Sequence, residues 1–146
     1  MSHPGGDAAR DPALIQYRVV PGPEAAVMVV EDNADVRDSL TAIIEHAGYS
    51  VVGAEDGRRA IQLLRAGLRP SLIVLDLMLP RMSGREFREA QLRDHSLASI
   101  PVVVCSAALD VEYYATRLGA IAGLTKPIDI DRLLRLIEER CAPRAS

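Results

Sequence analysis

Short apolar runs alternate with longer segments of helical periodicity along most of this chain. These runs are rich in β-branched side chains and contain few polar residues, which is typical of strands that are buried on both faces of a sheet. We predict strands at residues 26–30, 50–53, 72–75, 101–105 and 120–124. The fifth strand is the weakest prediction, because glycine at position 123 offers no side chain to pack.

The segments between these runs carry apolar residues three and four positions apart, as amphipathic helices do. We predict helices at residues 35–47, 57–66, 85–93, 111–118 and 130–140. Gly48 and Gly67 follow the first two helices and act as stop signals. Asp129 precedes the fifth helix and is its predicted N-cap.

This alternation of strands and helices predicts an α/β fold, a doubly wound parallel sheet of five strands with helices on both faces. Ligands of such folds bind at the carboxyl ends of the strands, so the residues that follow each strand are the functional candidates. We predict a flexible N-terminal arm at residues 1–24, one domain at residues 25–141 and a short tail at residues 142–146.

The composition is that of a folded globular protein and argues against several other classes of protein. Of 146 residues, 49% are hydrophobic and 25% are charged, which supports a packed core and argues against disorder. The net charge is −3 and no basic block occurs, so direct nucleic-acid binding is not expected. No apolar run is long enough to span a membrane, and no signal peptide pattern is present. The two cysteines, Cys105 and Cys141, form no disulfide framework, which fits a cytoplasmic protein.

Charged and polar residues follow four of the predicted strands. Glu31 and Asp32 come after the first strand, Asp76 after the third, Ser106 after the fourth and Lys126 after the fifth. Lys126 is the only lysine among 17 lysines and arginines. An ammonium group is a compact point charge that fits where a planar guanidinium does not, so its use here indicates a tight anionic site.

Three neighbouring carboxylates repel one another, and a hard dication such as Mg²⁺ offsets that repulsion with oxygen ligands. A cation, an ammonium and a hydroxyl around one carboxylate stabilise additional negative oxygens, as phosphoryl transfer to that carboxylate requires. Simpler interpretations also exist. Glu31 and Asp32 would cap the following helix, Asp76 would be a solvated turn residue, and Ser106 would bind only local backbone.

Four segments carry a family resemblance: VVEDN at 29–33, LDLMLP at 75–80 with Gly84 beyond it, PVVVCSA at 101–107, and LTKP at 124–127. With these motifs in this order, residues 25–141 resemble the receiver domain of bacterial two-component response regulators. The resemblance implies a flavodoxin-like (βα)5 fold with strand order 2-1-3-4-5. It also implies a signalling switch rather than an enzyme, phosphorylated with Mg²⁺ by a histidine kinase or a histidine phosphotransfer protein.

The resemblance also implies roles for individual residues. Asp76 would be the phosphoacceptor. Asp32 would bind Mg²⁺ directly, and Glu31 mostly through water, while Met78 would supply its backbone carbonyl to the metal. Met78 would look the same as a packing residue, since only its backbone is involved.

The remaining implied roles belong to the fourth and fifth strands. Ser106 would bind a phosphoryl oxygen and change position on phosphorylation. Lys126 would pair with Asp76 and then with the phosphoryl group, and a cis peptide bond would precede Pro127. The signal would pass to a downstream protein partner or onward in a phosphorelay, and a homodimer is possible.

The chain departs from the family pattern at position 123, where the family usually has an aromatic residue that swings inward on activation. Here Gly123 stands in that place. We hypothesise that the signal passes through the fourth helix and that Tyr113 or Tyr114 fills the space of the missing ring. The chain also ends soon after its fifth helix, so we expect a stand-alone receiver, with a receiver cut from a larger hybrid protein as the alternative.

Two other functions compete with the switch. An aspartyl-phosphate phosphatase or phosphotransferase usually has a second aspartate two residues after the nucleophile, but Met78 occupies that position and cannot transfer a proton. A non-phosphorylated interaction module is favoured only by Gly123. Neither Met78 nor Ala108 can orient an attacking water, so we expect slow loss of the phosphoryl group. The histidines, at positions 3, 46 and 95, are assigned no catalytic role.

Overall fold

The computed structural model describes residues 25–143, so the predicted arm and the last three residues of the predicted tail lie outside the described part. Strands and helices alternate within it. The strands are β1 (Val27–Val30), β2 (Val51–Ala54), β3 (Leu72–Asp76), β4 (Val102–Ser106) and β5 (Ala122–Thr125). The helices are α1 (Ala34–His46), α2 (Gly57–Arg65), α3 (Gly84–Arg93), α4 (Val111–Arg117) and α5 (Ile130–Arg140).

All neighbouring strands are parallel, and their order in the sheet is β2-β1-β3-β4-β5. This confirms the predicted α/β class and the implied strand order. Strand order reverses between β1 and β3, which places the carboxyl ends of those two strands at the edge where ligands bind in such sheets.

The bounds of all five strands differ from the prediction by one or two residues, with β1 beginning one residue later and β2 shifted by one residue. The other three differ for identifiable reasons. β4 begins at Val102 because Pro101 has no N–H for the ladder, although its carbonyl accepts from Ile73. β5 begins only at Ala122, because the N–H of Ala120 is used to close α4 through the carbonyl of Ala115 at 2.9 Å. β3 continues for one residue beyond its predicted end, so Asp76 belongs to the ladder itself.

Two apolar cores cover the two faces of the sheet. Helices α2, α3 and α4 pack on one face, where the ring of Phe87 is completely buried. Helices α1 and α5 pack on the other face, with Leu40, Ile44, Leu133 and Ile137 buried against the strands. Because both faces are covered, the strand interiors are almost entirely apolar, as the sequence pattern indicates.

The helix ends follow the signals in the sequence. Asp129 caps α5 by accepting from the N–H of Arg132, as predicted. Gly48 and Gly67 have positive φ angles of 102° and 116°, which lets the chain turn at the ends of α1 and α2 without strain. No helix in the described residues is long and apolar enough to cross a membrane.

A buried arginine ties α3 to the end of α4. The guanidinium of Arg88 donates to the carbonyls of Leu118 and Gly119 at 2.9 and 3.0 Å, and to the Gln91 side chain at 2.8 Å. Gln91 in turn donates to two carbonyls of the segment before β4. Burial lowers the pKa of Arg88. These contacts fix the carboxyl end of α4 relative to the core.

We predict that Arg88→Met lowers the free energy of unfolding by about 1–3 kcal/mol, because carbonyl groups at the end of α4 lose their buried donor. Urea denaturation followed by circular dichroism measures the change. Arg93→Met is the matched control, since Arg93 is an exposed arginine on the same helix. Equal midpoints for the two variants would contradict this role of Arg88.

Candidate functional site

The strand register brings the first two candidate carboxylates side by side. Val30 of β1 pairs with Leu75 of β3, so Glu31 and Asp76 follow at the same level of the sheet. Both residues are buried, with 3% and 4% of their surface exposed. Two carboxylates cannot be buried together unless positive charge or hydrogen bonds compensate them.

Lys126 supplies that compensation. Its Nζ lies 2.7 Å from Glu31 Oε1 and 2.7 Å from Asp76 Oδ2. Its backbone N–H donates to the carbonyl of Ser106 at 2.8 Å, which fixes the start of the segment after β5. The peptide bond between Lys126 and Pro127 is cis, the isomer that the resemblance implies.

The environment of Lys126 keeps its ammonium charged. Burial acts to lower the pKa of Lys126, but its hydrogen bonds to Asp76 and Glu31 outweigh burial and raise the pKa. The neighbouring thiol of Cys105 behaves differently, since burial raises its pKa to about 12 and it stays neutral. Of these two neighbouring groups, the ammonium is therefore charged and the thiol is neutral.

Asp32 completes the acidic group. Oxygen atoms of Glu31, Asp32 and Asp76 all lie within 4.8 Å of one another, and Asp32 is exposed while the other two are buried. Carboxylate oxygens are the ligands that Mg²⁺ prefers, and one ammonium leaves part of the negative charge of three carboxylates uncompensated. The residues therefore fit a hard divalent cation on the open side of the cluster.

The helix-capping interpretation of the acidic pair is wrong. The N-cap of α1 is Asn33, whose side chain accepts from the N–H of Val36 at 3.0 Å. Glu31 instead points Oε2 at the N–H of Asn33, at 3.1 Å, and Oε1 at Lys126. The carboxylate of Glu31 is thus oriented on both of its oxygens.

Asp76 is not a solvated turn residue, since it is buried and both of its oxygens are bonded. Oδ1 accepts from the N–H of Met78 at 2.9 Å, while Oδ2 pairs with Lys126. The Met78 side chain is 74% exposed and is therefore not a packing residue of the core. Its backbone is fixed to the carboxylate that it follows.

Ser106 is the last residue of β4 and is buried. Its Oγ accepts from the N–H of Ala108 at 3.1 Å, which is the local backbone bond that the simpler interpretation expects. Accepting this bond leaves the hydroxyl proton of Ser106 to be donated elsewhere. Of the histidines, His46 ends α1 at the opposite edge of the sheet, and His95 is exposed in the segment after α3.

The packing beside Gly123 explains why no side chain stands there. A Cβ on Gly123 would lie 2.9 Å from the carbonyl oxygen of Val111 and 3.1 Å from the Cβ of Ala115. The backbone of α4 therefore packs directly on β5. The hypothesis that a tyrosine fills this space is wrong, because Val111 and Ala115 close it.

The two tyrosines belong to a different surface. Tyr113 is 57% exposed, and its ring meets the ring of Tyr114 edge to face at 5.4 Å between centroids. Arg117 lies over Tyr113 and Arg85 of α3 lies over Tyr114. The tyrosines thus contribute to the outer surface of α3 and α4 rather than to the β5 contact.

Sequence reasoning missed one residue that orients the site. Arg37 of α1 donates to the carbonyl of Glu31 at 2.8 Å, and its aliphatic stem lies over Gly53, where a Cβ would be 3.0 Å away. An arginine on a polar helix face is usually solvated, so Arg37 itself gives no signal in the sequence. Only Gly53, the glycine in β2 that lies under the arginine side chain, could have indicated this contact.

Comparison with known proteins identifies the family of this chain. Residues 27–138 match the family described as response regulator receiver domain. The chain is 30% identical over 116 residues to the protein PilH of Pseudomonas aeruginosa, covering 77% of this chain and 94% of that protein. It is 39% identical over 110 residues to the response regulator MprA of Mycolicibacterium vanbaalenii, covering 74% of this chain and 46% of MprA. The chain belongs to the response regulator receiver domain family.

Solved structures show the same fold. A response regulator receiver protein from Pseudomonas putida superimposes with a TM-score of 0.74 at 29% identity, covering 81% of this chain and 98% of that chain. The chemotaxis protein CheY4 of Vibrio cholerae gives 0.71 at 26% identity, covering 81% and 99%. The chain spans about half the length of several curated relatives that it matches, including MprA. As a receiver domain, it is a module of two-component signalling rather than a conventional enzyme.

We predict that Gly123→Ala destabilises the protein, because the added Cβ meets backbone of α4 that cannot move aside alone. Overpacking of this kind costs about 1–3 kcal/mol, which exceeds the roughly 0.5–1 kcal/mol gained by removing a glycine from a strand. Urea denaturation measures the difference.

Gly53→Ala in β2 is the matched control for Gly123→Ala. Its Cβ would meet only the flexible side chain of Arg37, which can shift. We expect a smaller loss of stability there. If Gly123→Ala is as stable as the wild type, the close backbone packing of α4 on β5 is wrong.

Proposed function

We propose that the protein is a phosphorylation-controlled switch in which Asp76 accepts a phosphoryl group from a histidine kinase or a histidine phosphotransfer protein. The main support is the position of Lys126 Nζ, 2.7 Å from both Glu31 and Asp76. Asp32 lies next to them on the open side. The switch would act in the cytoplasm, where such kinases have their substrates, by altering the binding of a protein partner or by relaying the phosphoryl group.

The transfer itself is a single displacement. One carboxylate oxygen of Asp76 bonds to phosphorus while the bond from phosphorus to the donor histidine nitrogen breaks, and that electron pair leaves with the imidazole. Mg²⁺ bound by Asp32, Asp76 and the Met78 carbonyl, with Glu31 acting through water, would supply charge neutralisation for the phosphoryl oxygens.

The protein side chains have defined tasks in this proposal. Lys126 moves its ammonium from the Asp76 carboxylate to a phosphoryl oxygen, whose negative charge it stabilises. Ser106, whose Oγ accepts from the Ala108 N–H, changes position and donates its hydroxyl proton to another phosphoryl oxygen. Because β4 leads directly into α4, movement of Ser106 would reach α4 through the backbone, with no aromatic ring at Gly123.

A second candidate is a receiver-like module that binds partners without phosphorylation. The observation in its favour is the close packing at Gly123, which leaves no room for the aromatic residue that other receivers use. The complete set of acidic residues and the lysine favour the phosphorylated switch instead.

We predict that incubation with acetyl phosphate and Mg²⁺ adds one phosphoryl mass to the wild-type protein, and that Asp76→Asn abolishes the gain. Intact mass spectrometry measures it. Asp38→Asn on α1 is the matched control, because this aspartate is exposed and lies outside the acidic group. No gain in the wild type would favour the unphosphorylated module, and a gain in Asp76→Asn would place the acceptor elsewhere.

We predict that the phosphorylated protein loses its phosphoryl group slowly, over minutes or longer at neutral pH. Met78 and Ala108, both exposed beside the site, have no side-chain group that orients an attacking water. The decay of the added mass after removal of acetyl phosphate measures the lifetime. Met78→Asn, which introduces a polar amide, should shorten it, and a wild-type lifetime of only seconds would contradict the prediction.

A further inference from the structure

The loop that follows Asp76 contains an unusual backbone conformation. Arg81 has a φ angle of 63°, and among the described residues no other non-glycine residue has a positive φ. Such a conformation costs free energy for an L-residue and persists where surrounding contacts impose it. The contacts that impose it on Arg81 therefore indicate what this loop requires.

The principal contact joins Arg81 to Asp56. Arg81 donates from Nε and Nη2 to Asp56 Oδ2 at 3.0 and 2.8 Å. The Asp56 side chain is only 7% exposed, and its other oxygen caps α2 by accepting from the N–H of Arg59 at 2.8 Å. Burial acts to raise the pKa of Asp56, but these hydrogen bonds outweigh burial and lower the pKa. Arg81 in the loop is thus bound to an ionised aspartate that is itself fixed at the start of α2.

This pair differs from the other ion pairs on the surface. Arg93 and Glu89 on α3 are 4.0 Å apart and both exposed, as are Arg132 and Glu112. Such pairs contribute little, because water screens them and both side chains stay mobile. The Arg81 side chain is itself 58% exposed, but it makes two charge-assisted hydrogen bonds to a carboxylate that is buried and already fixed. The pair therefore defines a geometry for the loop.

Helices α2 and α3 also pack against parts of this loop. A Cβ on Gly57 would lie 3.0 Å from the Met82 side chain, so α2 packs closely on the loop. A Cβ on Gly84 would lie 2.5 Å from the carbonyl oxygen of Asp76. The start of α3 therefore packs on the backbone at the end of β3, where the loop begins. Residues 77–83 therefore run between the first turns of two helices, and the pair between Arg81 and Asp56 joins the loop to α2.

We propose that Arg81 and Asp56 are positioning residues for the divalent cation: they fix the loop that carries Met78. This inference rests on the proposed function, in which the Met78 backbone carbonyl is a metal ligand. The N–H of the same residue donates to Asp76 Oδ1, so displacement of the loop would disturb both a ligand and the orientation of the phosphoacceptor. Neither Arg81 nor Asp56 belongs to the acidic group, and they act through the backbone.

Isothermal titration calorimetry with MgCl₂ tests the proposal on the whole chain without any phosphoryl donor. We expect Arg81→Met, which removes the guanidinium and keeps an unbranched side chain at the strained position, to weaken Mg²⁺ binding about tenfold, the low end for residues that orient metal ligands. Asp56→Asn should weaken it similarly, because asparagine caps α2 as well as aspartate does and only the charged partner is lost.

The double variant and a control complete the design. Arg81→Met combined with Asp56→Asn should bind Mg²⁺ no more weakly than the weaker single variant, since both changes remove one interaction. Arg93→Met, at an exposed pair remote from the loop, should bind as the wild type does. Thermal unfolding of each variant without Mg²⁺ confirms that the variants are folded at the titration temperature.

The outcomes separate the two proposals. If the wild type binds Mg²⁺ and both single variants bind it within twofold of the wild type, the positioning role is overturned while the switch stands. Additive losses in the double variant would also overturn it, because the residues would then act separately. If the wild type neither binds Mg²⁺ nor is phosphorylated on Asp76, the proposed function itself fails.

Discussion

The carboxyl edge of the sheet depends on one ammonium group placed between two buried carboxylates. Lys126 lies after the edge strand β5, whereas Glu31 and Asp76 lie at the ends of β1 and β3 in the middle of the sheet. The lysine side chain therefore reaches across the end of β4, and its own N–H is fixed to the carbonyl of Ser106. Without this charge, the two buried carboxylates would keep only backbone N–H donors, from Asn33 and Met78, and removing one partner of a buried ion pair is strongly destabilising.

The negative charge at this edge is only partly compensated. Three carboxylates meet one ammonium, and the remaining negative charge is on the side where Asp32 faces solvent. A hard cation that binds at such a group of carboxylates offsets their repulsion and stabilises the folded protein. The surrounding backbone is fixed by a hydrogen bond from Arg37 on one side and, on the other, by the packing of the loop at residues 77–83 against α2 and α3.

Helix α4 is fixed by backbone contacts rather than by a large side chain. Gly123 lets the first turn of α4 approach β5 closely, and Arg88 binds carbonyl groups beyond its last turn. Both features depend on residues that are far apart in the sequence. A glycine in a weak strand and an arginine in a polar helix look ordinary in the sequence. Their structural roles become visible only where α4 packs against β5 and α3.

The sequence by itself determined the alternating elements, the parallel sheet and the edge at which the polar residues meet. These follow from local periodicity and from the rule that parallel strands end at one edge of the sheet. The sequence therefore placed Glu31, Asp76 and Lys126 at the same edge, where they lie in the structure. The tertiary structure alone decided that Lys126 also pairs with Glu31, that Asn33 rather than an acid caps α1, and that α4 packs on Gly123. Such pairings depend on distances between side chains of different elements, which periodicity does not encode. The contact between Arg81 and Asp56 is of the same kind, since 25 residues separate its partners and only the fold makes them neighbours.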